Sequence, residues 1–168
     1  MIIRDAGPGD AHAIAAIYAH HVLHGTATFD TEPPPADSWR ARIGEIRARG
    51  WPMIVSERDD AVTGYAYAMQ FRDRPAYAAT CENSIYVAPD ALGGGIGTAL
   101  LGELLVRAER AGFEQMIAVI GGGEPASVAL HAKLGFVHAG RMRDVGRKFG
   151  RLLDTVYMQR ALRGGPVA

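Results

Sequence analysis

Apolar and polar positions along the chain alternate in two rhythms, one of strands and one of helices. Ile2 and Ile3 open a short β-prone run, and Gly7-Pro8-Gly9-Asp10 then makes a turn whose last residue can cap a helix. Ile14, Ile17, Tyr18 and Val22 recur at helical spacing and predict an amphipathic helix from about 10 to 24. Pro33-Pro34-Pro35 forbids helix. The next helix is expected from Asp37 or Ser38 through Ile43 and Ile46 to Gly50, lying on the surface with its four arginines outward. Residues 52–57 and 61–67 are rich in β-formers, and Arg58-Asp59-Asp60 between them predicts a hairpin.

Thr80 to Val87 reads as a further strand, stopped by Ala88-Pro89-Asp90. After Leu92-Gly93-Gly94-Gly95-Ile96-Gly97, the residues Leu100, Leu101, Leu104, Leu105 and Ala108 form one apolar face of a helix that ends near Gly112. Met116 to Ile120 is a continuous apolar run, as in a buried strand. A helix over Ser127–Leu134 and two strands within 136–145 and 152–160 complete the chain. The expected order is β-α-α-β-β-β-α-β-α-β-β, one mixed α/β domain over residues 1–163, with 164–168 as a frayed tail.

Length and composition narrow the function classes. A chain of 168 residues, 48% hydrophobic and 21% charged, suits one domain with a core of its own. Eighteen basic and 18 acidic side chains cancel, so no overall field favours nucleic acid or an anionic membrane. Cys81 is the single cysteine, which excludes an intrachain disulfide and suits a reducing cytoplasm. The opening Met1-Ile2-Ile3-Arg4-Asp5 has neither the basic region nor the apolar run of a secretory signal, and no segment has the ~20 continuous apolar residues of a membrane span.

Strand, glycine-rich loop, then helix points free backbone N–H groups and a helix dipole at an anion, and phosphate is the expected guest. The loop lacks the Gly-Lys-Ser/Thr ending of a triphosphate-binding loop, and Gly93-x-Gly95-x-Gly97 is not the dinucleotide spacing. A turn that holds no ligand stays open on these glycines alone. The neighbouring stretches Glu82-Asn83-Ser84-Ile85-Tyr86-Val87-Ala88-Pro89 and Ser127-Val128-Ala129-Leu130-His131-Ala132-Lys133-Leu134-Gly135-Phe136 resemble signatures of the GCN5-related N-acetyltransferase superfamily. Thr28-Phe29-Asp30-Thr31-Glu32-Pro33, Arg72-x-Arg74-x-Ala76-Tyr77, Ala118-Val119-Ile120-Gly121 and Lys148-Phe149-Gly150-Arg151-x-Leu153-Asp154 are more narrowly similar to the phosphinothricin and methionine sulfone or sulfoximine N-acetyltransferases.

The resemblance implies a central, mostly antiparallel twisted sheet flanked by helices, with acetyl-CoA as co-substrate and no metal. It places the pyrophosphate on Leu92, Gly93, Gly94, Gly95, Ile96, Gly97 and Thr98, and the pantetheine arm along Ile85, Tyr86 and Val87, with Glu124, Ser127 and Lys133 also at the cofactor. Leu92 stands where the superfamily usually has Gln or Arg, and Glu124 where it usually has Asn. Acetyl transfer needs a neutral amine, so a base is required, and the resemblance makes Glu82 that base and His131 the general acid. Arg72 and Arg74 suit a substrate carboxylate, because a guanidinium binds one bidentately, with Tyr77 adding a hydroxyl and Phe29 and Thr31 lining the side-chain pocket.

Lys148 and Arg151 are expected to reach an active site across a homodimer. Cys81 carries no mark of an activated thiolate, and His12, His20, His21, His24 and His138 are read as packing or surface residues. The acceptor implied is a small amino-acid analogue. Another amine (a polyamine, an aminoglycoside or a protein N-terminus) and a non-catalytic CoA-binding sensor remain as alternatives.

Overall fold

Residues 1–163 are described by a computed structural model; the expected tail at 164–168 lies outside the described residues. The strands are β1 (Ile2–Asp5), β2 (Met53–Arg58), β3 (Ala61–Gln70), β4 (Thr80–Val87), β5 (Gln115–Gly121), β6 (Val137–Lys148) and β7 (Arg151–Ala161). The helices are α1 (Ala11–His24), α2 (Ala36–Ala48), α3 (Ile96–Arg110) and α4 (Pro125–Lys133). All seven strands join one sheet in the order β1-β2-β3-β4-β5-β7-β6, antiparallel except where β4 and β5 run parallel. The element order is the one the hydrophobic rhythm predicts.

Two cores sit on opposite faces of the sheet. Ile54, Ala66, Met116, Ala118 and Met158 pack with Leu100, Leu101 and Leu104 of α3. On the other face, Val55 and Tyr65 pack with Ile14 and Ile17 of α1 and Trp39, Ile43 and Ile46 of α2. The expected hairpin turns on Asp59 and Asp60, both at positive φ, the geometry that matches the twist of two antiparallel strands.

Three boundaries and contacts differ from the sequence reading. β3 continues to Gln70, three residues past the β-forming run, because its ladder with β4 extends to Gln70 opposite Cys81. β6 likewise runs to Lys148, where pairing with β7 supports a strand that is polar and exposed along most of its length. Arg42 of α2 and Arg49 just after it are not simply turned outward: their guanidinium groups lie 4.9 Å over the rings of Trp39 and Trp51.

The feature that positions a site is where β4 and β5 part. Their parallel ladder pairs Thr80–Asn83 with Gln115–Ala118 and stops there. Ser84–Val87 and Val119–Gly121 therefore diverge, and a cleft of about 650 Å³ opens between them.

Candidate active site

The free edge of β4 follows from the parity of its other ladder. The Phe71 N–H donates to the Thr80 carbonyl and the Ala88 N–H to that of Thr63, so even-numbered residues of β4 exchange bonds with β3. Odd-numbered residues face β5, and beyond Asn83 that partner is gone. Ile85 and Val87 thus turn N–H and C=O groups into the cleft, whereas the backbone of Tyr86 is committed to Tyr65. An extended amide chain can pair with such an edge as an added strand does.

His21 lies 2.9 Å from the Val87 carbonyl through Nε2, donating the hydrogen bond, and burial pulls its pKa below the ordinary histidine value. Sequence alone marks His21 only as a packing or surface residue. Its place on the helical face of Ile14, Ile17 and Tyr18 was the available signal.

The glycine loop closes the wide end. Gly93 and Gly95 have φ of +78° and +76°, and a Cβ at either would stand in open space. α3 starts at Ile96 with no side-chain cap, and its first intrahelical bond runs from the Ala99 N–H to the Gly95 carbonyl. The N–H groups of Ile96, Gly97 and Thr98 are left without intrahelical partners beside the cleft. Leu92 lines the same end and is largely exposed, and Glu124, at the start of α4, lines it too. Gly94 and Lys133 are exposed and stand outside the cleft wall.

His131, only 2% exposed, projects from α4 into the cleft wall beside Ser127. Its Nδ1 lies 2.8 Å from the Ser127 carbonyl and its Nε2 3.1 Å from Oδ1 of Asn83, whose Nδ2 donates to the Ile117 carbonyl. Acceptors thus face both ring nitrogens. Burial lowers the His131 pKa, and the Ser127 carbonyl opposes that shift.

Glu82 lines the narrow end of the cleft. Burial raises its pKa, while the Arg72 guanidinium, with Nη1 at 3.6 Å, pulls it back down. Arg72 stacks 4.0 Å over Phe71, and Tyr77 packs edge-on against the same ring. Gln70 Nε2 donates to the carbonyls of both Arg72 and Arg74, which holds this loop against the end of the sheet. Arg72, Arg74, Tyr77 and Thr31 are all exposed and none of them lines the cleft; Arg72 alone of the four contacts a residue of its wall, Glu82.

Phe29 does line the cleft, its ring packed so closely on Gly146 that a Cβ there would collide with it. Lys148, expected to reach across a dimer, is instead used within its own chain: it is 5% exposed and donates from Nζ to the Thr28 carbonyl at 2.9 Å. Arg151 is exposed. The buried Cys81 thiol has its pKa pushed up to about 12 by burial, so it is an inert thiol.

The sequence model of the acetyltransferase (GNAT) family matches residues 14–136. The chain is 49% identical over 165 residues to the phosphinothricin N-acetyltransferase of Alcaligenes faecalis, covering 98% of this chain and 82% of that relative. It is 40% identical over 159 residues to the L-methionine sulfoximine/L-methionine sulfone acetyltransferase of Salmonella typhimurium, covering 95% and 93% of the two chains. The crystal structure of a GNAT superfamily phosphinothricin acetyltransferase from Sinorhizobium meliloti in complex with AcCoA superposes with a TM-score of 0.94 at 46% identity, covering 99% of this chain and 92% of that one.

Proposed function

The chain belongs to the acetyltransferase (GNAT) family, and from that premise we propose that it is an acetyl-CoA-dependent N-acetyltransferase for the α-amine of small amino-acid analogues of the phosphinothricin, methionine sulfone and methionine sulfoximine kind. The observation that carries this reading is the joining, in one cleft, of a strand edge without a strand partner, a helix N-terminus with free N–H groups, and Glu82, which Arg72 contacts from the rim.

The cofactor suits these residues. The N–H groups of Ile96, Gly97 and Thr98 would hold the pyrophosphate, with the dipole of α3 behind them. The edge groups of Ile85 and Val87 would take the pantetheine amides. Once bound, acetyl-CoA supplies an activated thioester.

Glu82 receives the proton that the amine sheds, and its raised pKa brings it nearer to the operating pH of a general base. His131 returns a proton to the departing sulfur. The burial that disfavours a charged ring also strengthens its attraction to a developing thiolate. Arg72 binds the substrate carboxylate, and Phe29 limits the side-chain pocket.

The protein acts as a homodimer in the cytoplasm. Val137, Met142, Val145 and Leu152 are exposed apolar side chains of the β6–β7 hairpin that a second copy would cover, and the free thiol of Cys81 suits a reducing compartment.

Acetyl-CoA turnover is measured for the parent and Glu82→Gln with the three amino acids, their decarboxylated amines, spermidine, an aminoglycoside and an N-terminal peptide. The amino acids should lead, and Glu82→Gln should lower kcat by about 10²- to 10⁴-fold. Preference for the polyamine, aminoglycoside or peptide would overturn the substrate class. Binding of acetyl-CoA without turnover of any amine would make the protein a CoA sensor.

A further inference from the structure

Arg72 faces two claims on one charge. Its Nη1 stands 3.6 Å from Oε2 of Glu82, an ionic contact longer than a hydrogen bond. The same group donates to the Phe71 carbonyl at 2.7 Å, and the guanidinium rests on the Phe71 ring. The backbone under it is held by Gln70 Nε2 and by the Arg74 N–H, both donating to the Arg72 carbonyl. A half-exposed guanidinium with five N–H groups on an anchored stem still has donors to offer a carboxylate.

Among the described residues Glu82 has no other charged partner. Its ladder neighbours, Met69 on β3 and Ile117 on β5, are neutral, and so is Ser84, which shares its face of β4. Asp73 and Arg74, in the loop that carries Arg72, are exposed, and Arg72 is the one charge acting on the Glu82 carboxylate among the described residues.

We infer that Arg72 is handed from Glu82 to the carboxylate of the arriving acceptor, so that an α-amino acid releases the base it needs and an amine without a carboxylate leaves that base paired. This rests on the reading of Glu82 as base and of an α-amino acid as acceptor, and adds to it where selectivity is exerted. Burial already favours a protonated Glu82, and the ion pair is what opposes it. Neutralising Arg72 with a substrate carboxylate lets burial prevail, and the carboxylate of Glu82 binds the amine proton more strongly. Selectivity for amino acids then appears in kcat as well as in KM, because the wrong acceptor meets a weaker base.

The handover is separable from a simple clamp. A clamp predicts that Arg72→Gln leaves a decarboxylated amine unaffected. The handover predicts that Arg72→Gln raises kcat for that amine several-fold while kcat/KM for the amino acid falls.

The direct test follows the Glu82 carboxyl carbon by NMR titration of the CoA complex, assigned by its loss in Glu82→Gln. It is run without acceptor, with saturating methionine sulfone, and with the decarboxylated amine. The midpoint should rise by about one pH unit with the amino acid and not with the amine, and in Arg72→Gln it should be raised from the start and insensitive to either. An unmoved midpoint, while other resonances report saturation by the amino acid, overturns the handover and leaves the proposed function standing. If no resonance responds to the amino acid, the substrate class itself fails and the handover with it.

Discussion

His131 illustrates how one side chain is tuned by what surrounds it. The neutral ring has one N–H to offer, yet the Ser127 carbonyl and Asn83 Oδ1 both present acceptors. A second proton satisfies both, and burial opposes the charge that comes with it. The sign follows: a histidine whose pKa is lowered loses its proton earlier as pH rises, so the contribution of an acid at this position should fade on the alkaline side. His131→Asn should therefore remove the alkaline limb of the kcat profile that belongs to the enzyme and lower kcat by about 10²-fold. The loss should shrink with an acetyl thioester of a more acidic thiol, which departs without help. An equal loss on both thioesters would return His131 to a packing role against Phe136, whose ring it meets edge-on at 4.9 Å. His131 was legible from its motif, but Asn83 was not, because nothing local tells an asparagine on a strand that a histidine 48 residues away will face it.

At the scale of elements, the turn from β4 through the glycine loop into α3 was the most legible part of the site, since its chemistry is backbone chemistry written in glycines. The structure adds which glycines matter. Gly95 has a left-handed backbone and open space where a Cβ would stand. Gly97 instead packs with Leu130 of α4, its hypothetical Cβ 3.4 Å from that side chain. Gly95→Val combines a left-handed conformation, costly for a β-branched residue, with a side chain in the space assigned to the pyrophosphate. Its KM for acetyl-CoA should rise tenfold or more while KM for the amino acid stays near the parent value, as steady-state kinetics with each substrate varied would show. Unchanged acetyl-CoA binding by calorimetry would dismiss the loop as the phosphate site. β6 was harder to delimit. As an edge strand it buries one residue in its span, Lys148, so it lacks the alternation that marks a strand packed on a core.

Across the whole molecule, the β6–β7 hairpin reaches back to the segment after α1 that carries Phe29. Lys148 Nζ holds the Thr28 carbonyl, Thr28 Oγ1 lies 2.7 Å from the Tyr18 hydroxyl, and Phe29 rests against Gly146. Burial lowers the pKa of the Lys148 ammonium while Asp30 opposes that shift. Replacing it with an apolar chain of similar length thus removes a charge-assisted bond and a desolvation cost together. Lys148→Met should change thermal stability little, yet free the loop that carries Phe29. KM for the amino acid should rise about 5- to 30-fold, the equivalent of about 1–2 kcal/mol of lost positioning, with KM for acetyl-CoA unmoved. A parallel rise in both constants would mean that the bond supports the fold at large rather than the acceptor pocket.

The sequence by itself determined the order of the elements, the glycine-rich loop before α3 and the family signatures, because helical and strand periodicity, turn chemistry and motif spacing act over a few to a dozen neighbouring residues. It could not pair Arg72 with Glu82, aim His21 at the Val87 carbonyl or turn Lys148 inward to Thr28. Those contacts join elements 10, 66 and 120 residues apart. Each exists only once the sheet order and register have brought its partners together. The cleft is of the same kind: β4 and β5 both read as complete strands, and only their ladder, ending at Asn83 and Ala118, leaves Ile85 and Val87 without a strand partner.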